Sequence, residues 1–249
     1  MSKSVPEVVA HRGYALRYPE NTLPALEAAV GAGARYVELD VQLSADGVPV
    51  VIHDETLVRT AGREGRVTEL TAAELARVRV GEVQRLGPEF SDTPLPSLAQ
   101  VAQWLTAHLQ VTAFVEIKRQ SLQRFGTDAV LAAVVRGIAP VRERCVPISF
   151  DTSLVRAARA QGRRAGWVLP EWSRAAHALA RDLAPEFLFC DRELLPKDEE
   201  PLWRGTWRWV VYEVEDVSEA LALARRGVDM IETMAVAELL AALRGEARA

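Results

Sequence analysis

The chain has 249 residues, of which 49% are hydrophobic and 26% are charged, as in globular proteins and unlike disordered tails. This length suits one large domain or two small ones. With 30 Lys+Arg against 34 Asp+Glu, the formal net charge of −4 argues against a protein that binds the phosphate backbone of a nucleic acid.

Cysteine content and apolar runs exclude further classes of protein. Cys145 and Cys190 form neither a metal-binding pattern nor a disulfide framework. The N-terminus lacks the long apolar run of a signal peptide, and no stretch approaches the roughly 20 apolar residues that span a bilayer. The cytoplasm is therefore the expected location.

Short β-rich runs alternate along the chain with amphipathic stretches rich in alanine and leucine. Strands are predicted at residues 8–10, 36–41, 111–117, 145–149, 164–169, 187–190, 208–214 and 229–231. Helices are predicted at residues 22–32, 97–108, 127–138, 152–161, 173–182, 218–226 and 236–243, and only weakly within 191–206.

The alternation of strands and helices predicts an α/β fold with a parallel sheet, since parallel strands need crossover connections. Eight such units in about 250 residues are the size of a closed (β/α)₈ TIM barrel. An open doubly wound sheet is the alternative, because periodicity alone does not show closure. It is less favoured because no glycine-rich nucleotide-binding motif follows the first strand.

The longest interruption of this pattern is residues 42–96, between the second and third predicted strands. Ala45-Asp46-Gly47 predicts a turn before a short extra strand at 48–52, and Thr71 with Glu74 has the spacing of a helix capping box. Insertions after a barrel strand lie on the catalytic face. We therefore expect residues 42–96 to cover an active site within a single domain spanning residues 1–249.

Ionisable side chains collect where predicted strands end. They are His11, Arg12, Glu38, Asp40, His53, Glu116 and Lys118. Glu38 and Asp40 are two residues apart in one strand, so their side chains point to the same face. The same holds for Glu116 and Lys118.

Taken singly, these residues have simpler interpretations. A histidine beside a strand is usually a loop or packing residue, Arg12 can pair with Glu38 or Asp40, and Glu116 with Lys118 can form a structural ion pair. His108 and His177 fall within helical patterns, which indicates structural roles for both. The tryptophans at 203, 207 and 209 are interpreted as core rather than as an exposed rim.

Together the residues indicate metal-assisted phosphoester chemistry. Three carboxylates supply hard oxygen ligands, which suit Mg²⁺ or Ca²⁺ better than zinc. Two histidines can divide the work of general acid and general base near neutral pH. An arginine and a lysine beside a divalent cation can neutralise the oxygens of a phosphoryl group.

The order and spacing of several motifs resemble the glycerophosphodiester phosphodiesterase family. These motifs are His11-Arg12-Gly13, Pro19-Glu20-Asn21-Thr22, Glu38-Leu39-Asp40-Val41, Asp46-Gly47, Val50-Val51-Ile52-His53-Asp54, Leu57 with Arg59-Thr60, Leu95-Pro96-Ser97-Leu98 and Glu116-Ile117-Lys118. The resemblance is dense over residues 8–60, good to Lys118, and weak beyond it.

This resemblance implies a TIM barrel with an insertion after its second strand. It implies hydrolysis of small-molecule glycerophosphodiesters to glycerol 3-phosphate and an alcohol, with one divalent cation, Mg²⁺ or Ca²⁺. It also implies roles for individual residues: metal ligands Glu38, Asp40 and Glu116; an acid/base pair of His11 and His53; phosphate contacts Arg12 and Lys118; and an orienting role for Asp54. For the direction of proton transfer we favour His53 as base and His11 as acid.

The C-terminal half departs from the family pattern. Tyr212-Glu213-Val214-Glu215 stands where the family commonly has Trp-Thr-Val-Asn, and Glu232-Thr233-Met234-Ala235 replaces Thr-Asp-x-Pro. The extra carboxylates at 215 and 232 are expected to favour a cationic headgroup such as choline or ethanolamine. The sequence is also compatible with two other functions: a phosphodiesterase acting on lysophospholipids, and a non-catalytic barrel that binds phosphorylated metabolites.

Overall fold

The computed structural model describes residues 5–196 and 200–246. The strands in this part of the chain are β1 Glu7–Ala10, β2 Tyr36–Leu43, β3 Pro49–Val51, β4 Thr112–Ile117, β5 Cys145–Ser149, β6 Gly166–Val168, β7 Phe187–Asp191, β8 Arg208–Tyr212 and β9 Met230–Thr233. Residues 1–4, which form most of the N-terminal segment used to predict the absence of a signal peptide, lie outside the described residues.

Helices connect these strands. The α-helices are α1 Leu23–Ala32, α2 Val58–Ala61, α3 Ala72–Leu75, α4 Val83–Leu86, α5 Leu98–Ala107, α6 Arg119–Phe125, α7 Thr127–Gly137, α8 Thr152–Ala160, α9 Arg174–Leu183, α10 Val217–Arg226 and α11 Val236–Glu246. Short 3₁₀ helices are Val67–Glu69, Pro88–Phe90, Ala139–Arg144 and Arg192–Leu194. The last is the only helical turn in the described part of 191–206, and residues 197–199 of that weak prediction lie outside the described residues.

The parallel strands close into a barrel. Neighbouring strands follow the order β1-β9-β8-β7-β6-β5-β4-β2, and β1 pairs with β2 as well as β9, which leaves no open edge among the eight. The extra strand β3 pairs antiparallel with β2. The predicted (β/α)₈ barrel is therefore confirmed, and the open doubly wound sheet is wrong.

Side chains on each barrel strand alternate between two environments. In β2, Val37, Leu39 and Val41 belong to the apolar layer between barrel and helices. The barrel interior contains a separate cluster: Val9, Phe114, Val146, Ile148, Val168, Phe187, Phe189, Val210 and Met230. Because the strand period is two, Glu38 and Asp40 point into that interior with them.

Local signals explain where helices begin and end. The Thr22 hydroxyl accepts a hydrogen bond from the Ala25 N–H, and Gly33 ends α1 with a left-handed φ of 106°. The predicted helix at this position is confirmed. Helix α6 is not predicted by the sequence because its seven residues are too few to establish an apolar period.

The insertion has its own small apolar core beneath its short helices. It contains Val50, Ile52, Leu57, Val67, Leu75, Val78, Val80 and Leu95. Thr71 and Glu74 form the predicted capping box, in which the Thr71 hydroxyl accepts from the Glu74 N–H and the Glu74 carboxylate accepts from the Thr71 N–H. The insertion therefore packs around an apolar core of its own.

The residues predicted to be structural lie in structural positions. His108 follows α5, with Nδ1 2.9 Å from the Trp104 carbonyl oxygen, and His177 stacks on Trp203. Trp207 and Trp209 are buried in the layer between barrel and helices. Cys145 and Cys190 are buried and free, and burial raises the pKa of each thiol to about 12. Within residues 5–196 and 200–246, no helix has both the length and the apolar character to cross a bilayer.

Candidate active site

A cleft of about 550 Å³ opens at the C-terminal end of the barrel strands. Six of the predicted site residues line it: His11, Arg12, Glu38, His53, Glu116 and Lys118. The seventh, Asp40, is fully buried and contacts both Arg12 and Lys118. All seven side chains therefore lie in one place, although they come from four separate parts of the sequence.

The three carboxylates converge because of strand register. Glu38 and Asp40 share the interior face of β2, and Asp40 is paired directly with Glu116 of β4. One oxygen from each carboxylate lies within 4.8 Å of the others. Glu38 Oε1 is buried without a hydrogen-bond partner, and burial and Asp40 raise the pKa of Glu38 well above its usual range. This arrangement of oxygens can hold a cation.

Asp40 is held from several sides. Asn21 Nδ2 donates to Asp40 Oδ2 at 2.8 Å, and the Asp40 N–H donates to Asn21 Oδ1 at 3.0 Å. Lys118 Nζ lies 2.8 Å from both Asp40 Oδ1 and Glu116 Oε1. Burial alone raises the pKa of Asp40, but Lys118 and Arg12 outweigh it and hold this pKa far below its usual range. Asp40 is therefore a fixed anion.

The role of Asn21 was missed by the sequence reasoning. Its φ of 59° is left-handed, a conformation that asparagine tolerates better than most residues. This backbone turn directs its amide to both the N–H and the carboxylate of Asp40. The only sequence signal was its place in the Pro-Glu-Asn-Thr motif.

Arg12 binds carboxylates with both its backbone and its side chain. Its N–H donates to Glu38 Oε2 at 3.2 Å, while Nε lies 3.2 Å from Asp40 Oδ2 and Nη1 lies 3.1 Å from Glu20 Oε1. Arg59 also binds Glu20, with Nη2 2.7 Å from Oε1. This network fixes the guanidinium group at the edge of the cleft.

His53 follows β3, and the insertion determines its position. The side-chain amide of Gln42 donates to the carbonyl oxygens of His53 and Asp54 at 3.0 and 2.6 Å. His53 Nδ1 is 2.8 Å from Asp54 Oδ1, and Arg59 Nε donates to Asp54 Oδ2 at 2.7 Å. The Asp54 carboxylate thus contacts one ring nitrogen of His53, a contact compatible with the orienting role expected for Asp54.

His11 has a similar arrangement. Its Nδ1 lies 2.7 Å from Glu213 Oε1, and its Nε2 lies 3.8 Å from Glu38 Oε2. Burial lowers the pKa of His11, but the carboxylates of Glu232 and Glu213 outweigh burial, so the net shift is upward. Sequence reasoning gave Glu213 no role, and the available signal was its departure from the family pattern.

Glu232 is a buried acidic residue that the C-terminal half of the barrel contributes to the site. It is 2% exposed on the interior face of β9, and its Oε1 has no hydrogen-bond partner. Burial, acting against the opposing charge of His11, raises the pKa of Glu232 to about 7. An unpaired carboxyl at this depth is costly unless a proton or cation neutralises it.

The opposite wall of the cleft is acidic and aromatic. Its residues include Phe150, Phe189, Asp191, Arg192, Glu193, Tyr212, Glu215, Asp216 and Glu219. Arg192 is the single arginine or lysine of this wall and pairs with Glu219 at 3.0 Å. Among the described residues no tryptophan lines the cleft.

Comparison with known proteins agrees with this geometry. Residues 11–125 match the Glycerophosphoryl diester phosphodiesterase family. A glycerophosphodiester phosphodiesterase of Caldanaerobacter subterraneus is 31% identical over 237 residues, covering 91% of this chain and 93% of that protein. The chain belongs to the glycerophosphodiester phosphodiesterase family. The resemblance inferred from the sequence is confirmed.

Other family members cover different shares of the chain. Human glycerophosphodiester phosphodiesterase 1 is 39% identical over 111 residues, which are 44% of this chain and 33% of that protein. The chain thus spans about a third of the length of the mammalian relatives that it matches. The family match at residues 11–125 contains all seven candidate residues.

Solved structures show the same barrel. The glycerophosphodiester phosphodiesterase of Thermotoga maritima superposes with a TM-score of 0.70 at 28% identity, covering 95% of this chain and 97% of that one. An Oleispira antarctica phosphodiesterase in complex with the product sn-glycerol-3-phosphate gives a TM-score of 0.82 at 24% identity, over 96% of this chain and 97% of that one. Both proteins therefore share the barrel fold with this chain over nearly their whole length.

Proposed function

We propose that this protein hydrolyses glycerophosphodiesters to glycerol 3-phosphate and an alcohol, with one divalent cation, Mg²⁺ or Ca²⁺. The observation that supports this proposal is the convergence of two imidazoles, three carboxylates, an arginine and a lysine at one cleft. The activity named for the Caldanaerobacter relative and the product in the Oleispira structure point to the same reaction.

The carboxylates Glu38, Asp40 and Glu116 would hold the cation. Three oxygen donors suit Mg²⁺ or Ca²⁺, and the unpartnered, buried Glu38 Oε1 leaves a ligand atom available. Bound there, a divalent cation supplies charge that polarises a phosphoryl oxygen. Lys118 Nζ, 2.8 Å from both Asp40 Oδ1 and Glu116 Oε1, holds these two carboxylates close together.

The side chains of the cleft divide the remaining chemistry. His53 removes the proton from the nucleophile through the nitrogen that Asp54 leaves available, and His11 protonates the departing alkoxide. The raised pKa of His11 favours its protonated form, which suits the acid. Arg12 and Lys118 contact the phosphate oxygens, whose charge they neutralise.

Two nucleophiles fit this arrangement: water, or the glycerol hydroxyl next to the phosphate, which would give a cyclic phosphate. A substrate without that hydroxyl distinguishes them. Unchanged turnover of this substrate excludes the cyclic route, whereas loss of turnover with retained binding supports it.

We also propose that residues 42–96 cover the cleft as part of the barrel domain. This segment supplies His53, and its Arg59 binds Glu20 on the barrel side. Slower amide exchange around residues 52–60 on addition of glycerol 3-phosphate would support the proposal, and exchange that is unaffected would contradict it. The cytoplasmic location expected from the sequence stays a prediction.

One assay panel tests the proposed function. Glycerophosphodiesters with choline, ethanolamine, glycerol or inositol headgroups are incubated with Mg²⁺, Ca²⁺ or chelator, and released glycerol 3-phosphate is measured. We expect cation-dependent release that the chelator abolishes. Lysophosphatidylcholine is included in the panel. Faster hydrolysis of lysophosphatidylcholine than of glycerophosphocholine would favour a lipid phosphodiesterase. No turnover together with measurable binding of glycerol 3-phosphate would favour a non-catalytic barrel.

A further inference from the structure

Glu232 has no part in the proposed reaction, although it lies in the middle of the site. Glu232 of β9 is paired with Val9 of β1, and His11 follows Val9 by two residues. The side chains of Glu232 and His11 therefore both face the barrel interior and line the cleft. Glu232 is 2% exposed, and no ion pair or side-chain hydrogen bond of its carboxylate is recorded within residues 5–196 and 200–246. A buried carboxylate of this kind is costly unless a proton or a cation neutralises it.

A second cluster of possible ligand atoms surrounds this carboxylate. One ring nitrogen of His11 and one oxygen each of Glu38 and Glu232 lie within 4.8 Å of one another. Both Glu38 Oε1 and Glu232 Oε1 are buried without a hydrogen-bond partner, and His11 Nε2 is 3.8 Å from Glu38 Oε2. Two buried carboxyl groups, each with one unpartnered oxygen, thus lie close to an imidazole nitrogen.

The donor chemistry of this cluster differs from that of the neighbouring carboxylates. Glu38, Asp40 and Glu116 offer oxygen alone, which suits Mg²⁺ and Ca²⁺, whereas an imidazole nitrogen with two carboxylates suits Zn²⁺ and similar transition metals. Glu213 Oε1, at 2.7 Å from His11 Nδ1, engages the other ring nitrogen. A carboxylate in this position commonly supports a metal-binding histidine and leaves Nε2 for the metal.

We propose that His11, Glu38 and Glu232 form a second cation position that binds Zn²⁺ or a similar transition-metal ion, and that its occupation inhibits hydrolysis. Inhibition rests on the proposed function, in which His11 is the acid. A metal ion on Nε2 takes the lone pair that must carry the proton, so bound zinc and protonated His11 exclude each other. Zinc binding itself does not depend on the reaction.

Calorimetry with Zn²⁺ tests the site directly. The protein is saturated with Mg²⁺ and titrated with Zn²⁺, and wild type is compared with Glu232→Gln and with Glu215→Gln, a control in the same cleft. We expect wild type and Glu215→Gln to bind one Zn²⁺ with similar affinity, and Glu232→Gln to bind it at least about tenfold more weakly. Even the loss of a residue that only supports a metal ligand typically lowers metal affinity by 10–100-fold. Equal Zn²⁺ affinity in all three proteins would overturn the proposal.

Inhibition is measured separately, each protein being compared with its own zinc-free rate. We expect Glu232→Gln to raise the half-inhibiting Zn²⁺ concentration by about tenfold or more relative to wild type. Relief of wild-type inhibition by excess Mg²⁺, with no effect of Glu232→Gln, would place zinc at the Glu38, Asp40 and Glu116 position and contradict the proposal. Absence of turnover in the substrate panel would defeat the proposed function while leaving the calorimetric result interpretable.

Thermal unfolding shows whether Glu232→Gln folds normally. A second test uses only the wild-type protein and therefore needs no substitution. Co²⁺ added to Mg²⁺-saturated wild-type protein should give a visible absorption band that Zn²⁺ displaces at one equivalent. A spectrum identical to that of Co²⁺ in buffer would overturn the proposal.

Discussion

The two sides of the cleft are built in opposite ways. The catalytic side comprises His11, Arg12, Glu38, Asp40, His53, Glu116 and Lys118. There, buried carboxylates lie 2.8–3.2 Å from arginine and lysine side chains and from backbone or side-chain amide groups. The acidic side comprises Asp191, Glu193, Glu215, Asp216 and Glu219. These carboxylates lie near solvent, and Arg192 is the one arginine or lysine that lines the cleft among them.

This difference separates chemistry from selectivity. Charges in the buried network act at low effective dielectric, so each of them has a large effect on its neighbours. Exposed charges are screened by water and salt, and each contributes little. Substitutions on the catalytic side should therefore change the rate of reaction, and substitutions on the acidic side should change the preference between substrates.

The largest effect is expected for Glu38→Gln, which keeps the shape of the side chain but removes its charge. Turnover should fall by at least the roughly 10²–10⁴-fold that loss of one acid or base costs, and calorimetry should show weaker Mg²⁺ or Ca²⁺ binding. Glu89→Gln, at an exposed position, is the matched control. Cation affinity equal to that of wild type would remove Glu38 from the set of metal ligands.

His11→Ala and His53→Ala should each lower kcat by roughly 10²–10⁴-fold, because each removes a proton-transfer group. Circular dichroism should show that both variants remain folded. His108→Ala provides the control, since this histidine contacts Trp104 and Glu27 rather than the cleft. A loss below tenfold for either cleft histidine would show that another group carries its role.

Glu213→Gln tests a link between the two sides. The Glu213 carboxylate contributes to the raised pKa of His11, and the His11 imidazole, 2.7 Å away, in turn lowers the pKa of Glu213. As an acid, His11 must be protonated, so activity is lost as pH rises through its pKa. Removing the carboxylate lowers that pKa, and the alkaline limb of the pH–rate profile should move to lower pH.

The decrease in kcat for Glu213→Gln should be about 10–100-fold, as for other carboxylates that orient a functional imidazole. Glu215→Gln, two residues away, should leave the alkaline limb in place. An unmoved limb in both variants would show that His11 does not determine it.

The smallest effect is expected for Glu215→Gln in headgroup preference. The ratio of kcat/KM for glycerophosphocholine over glycerophosphoinositol should fall by no more than about fivefold, since an exposed ionic contact is worth ~0–1 kcal/mol. Parallel assays of both substrates at low and high salt would measure the ratio. A ratio that is the same in wild type and variant at low salt would reject a role for this carboxylate in choline preference.

Much of the fold could be predicted because its signals are local. Short β-rich runs between amphipathic stretches identified all eight barrel strands, and the Thr71–Glu74 capping box was evident from spacing alone. Boundaries were less accurate: the strand predicted at 208–214 ends at Tyr212, and the next residue, Glu213, lies 2.7 Å from His11. Helix α6 was not predicted, because its seven residues are too few to show the apolar repeat of a helix.

For the site, sequence identified the chemical groups, and the barrel determined their neighbours. Motif order and strand ends identified seven ionisable residues. Strand parity placed Glu38 with Asp40, and Glu116 with Lys118, on common faces, because a strand alternates sides with a period of two. Contacts across the closed barrel left no such signal: Glu213 and Glu232 are about 200 residues from His11 in the chain, yet closure of β9 onto β1 brings them to it. Pairing between distant strands depends on how the whole sheet closes, so only the tertiary structure could determine which carboxylates surround each histidine.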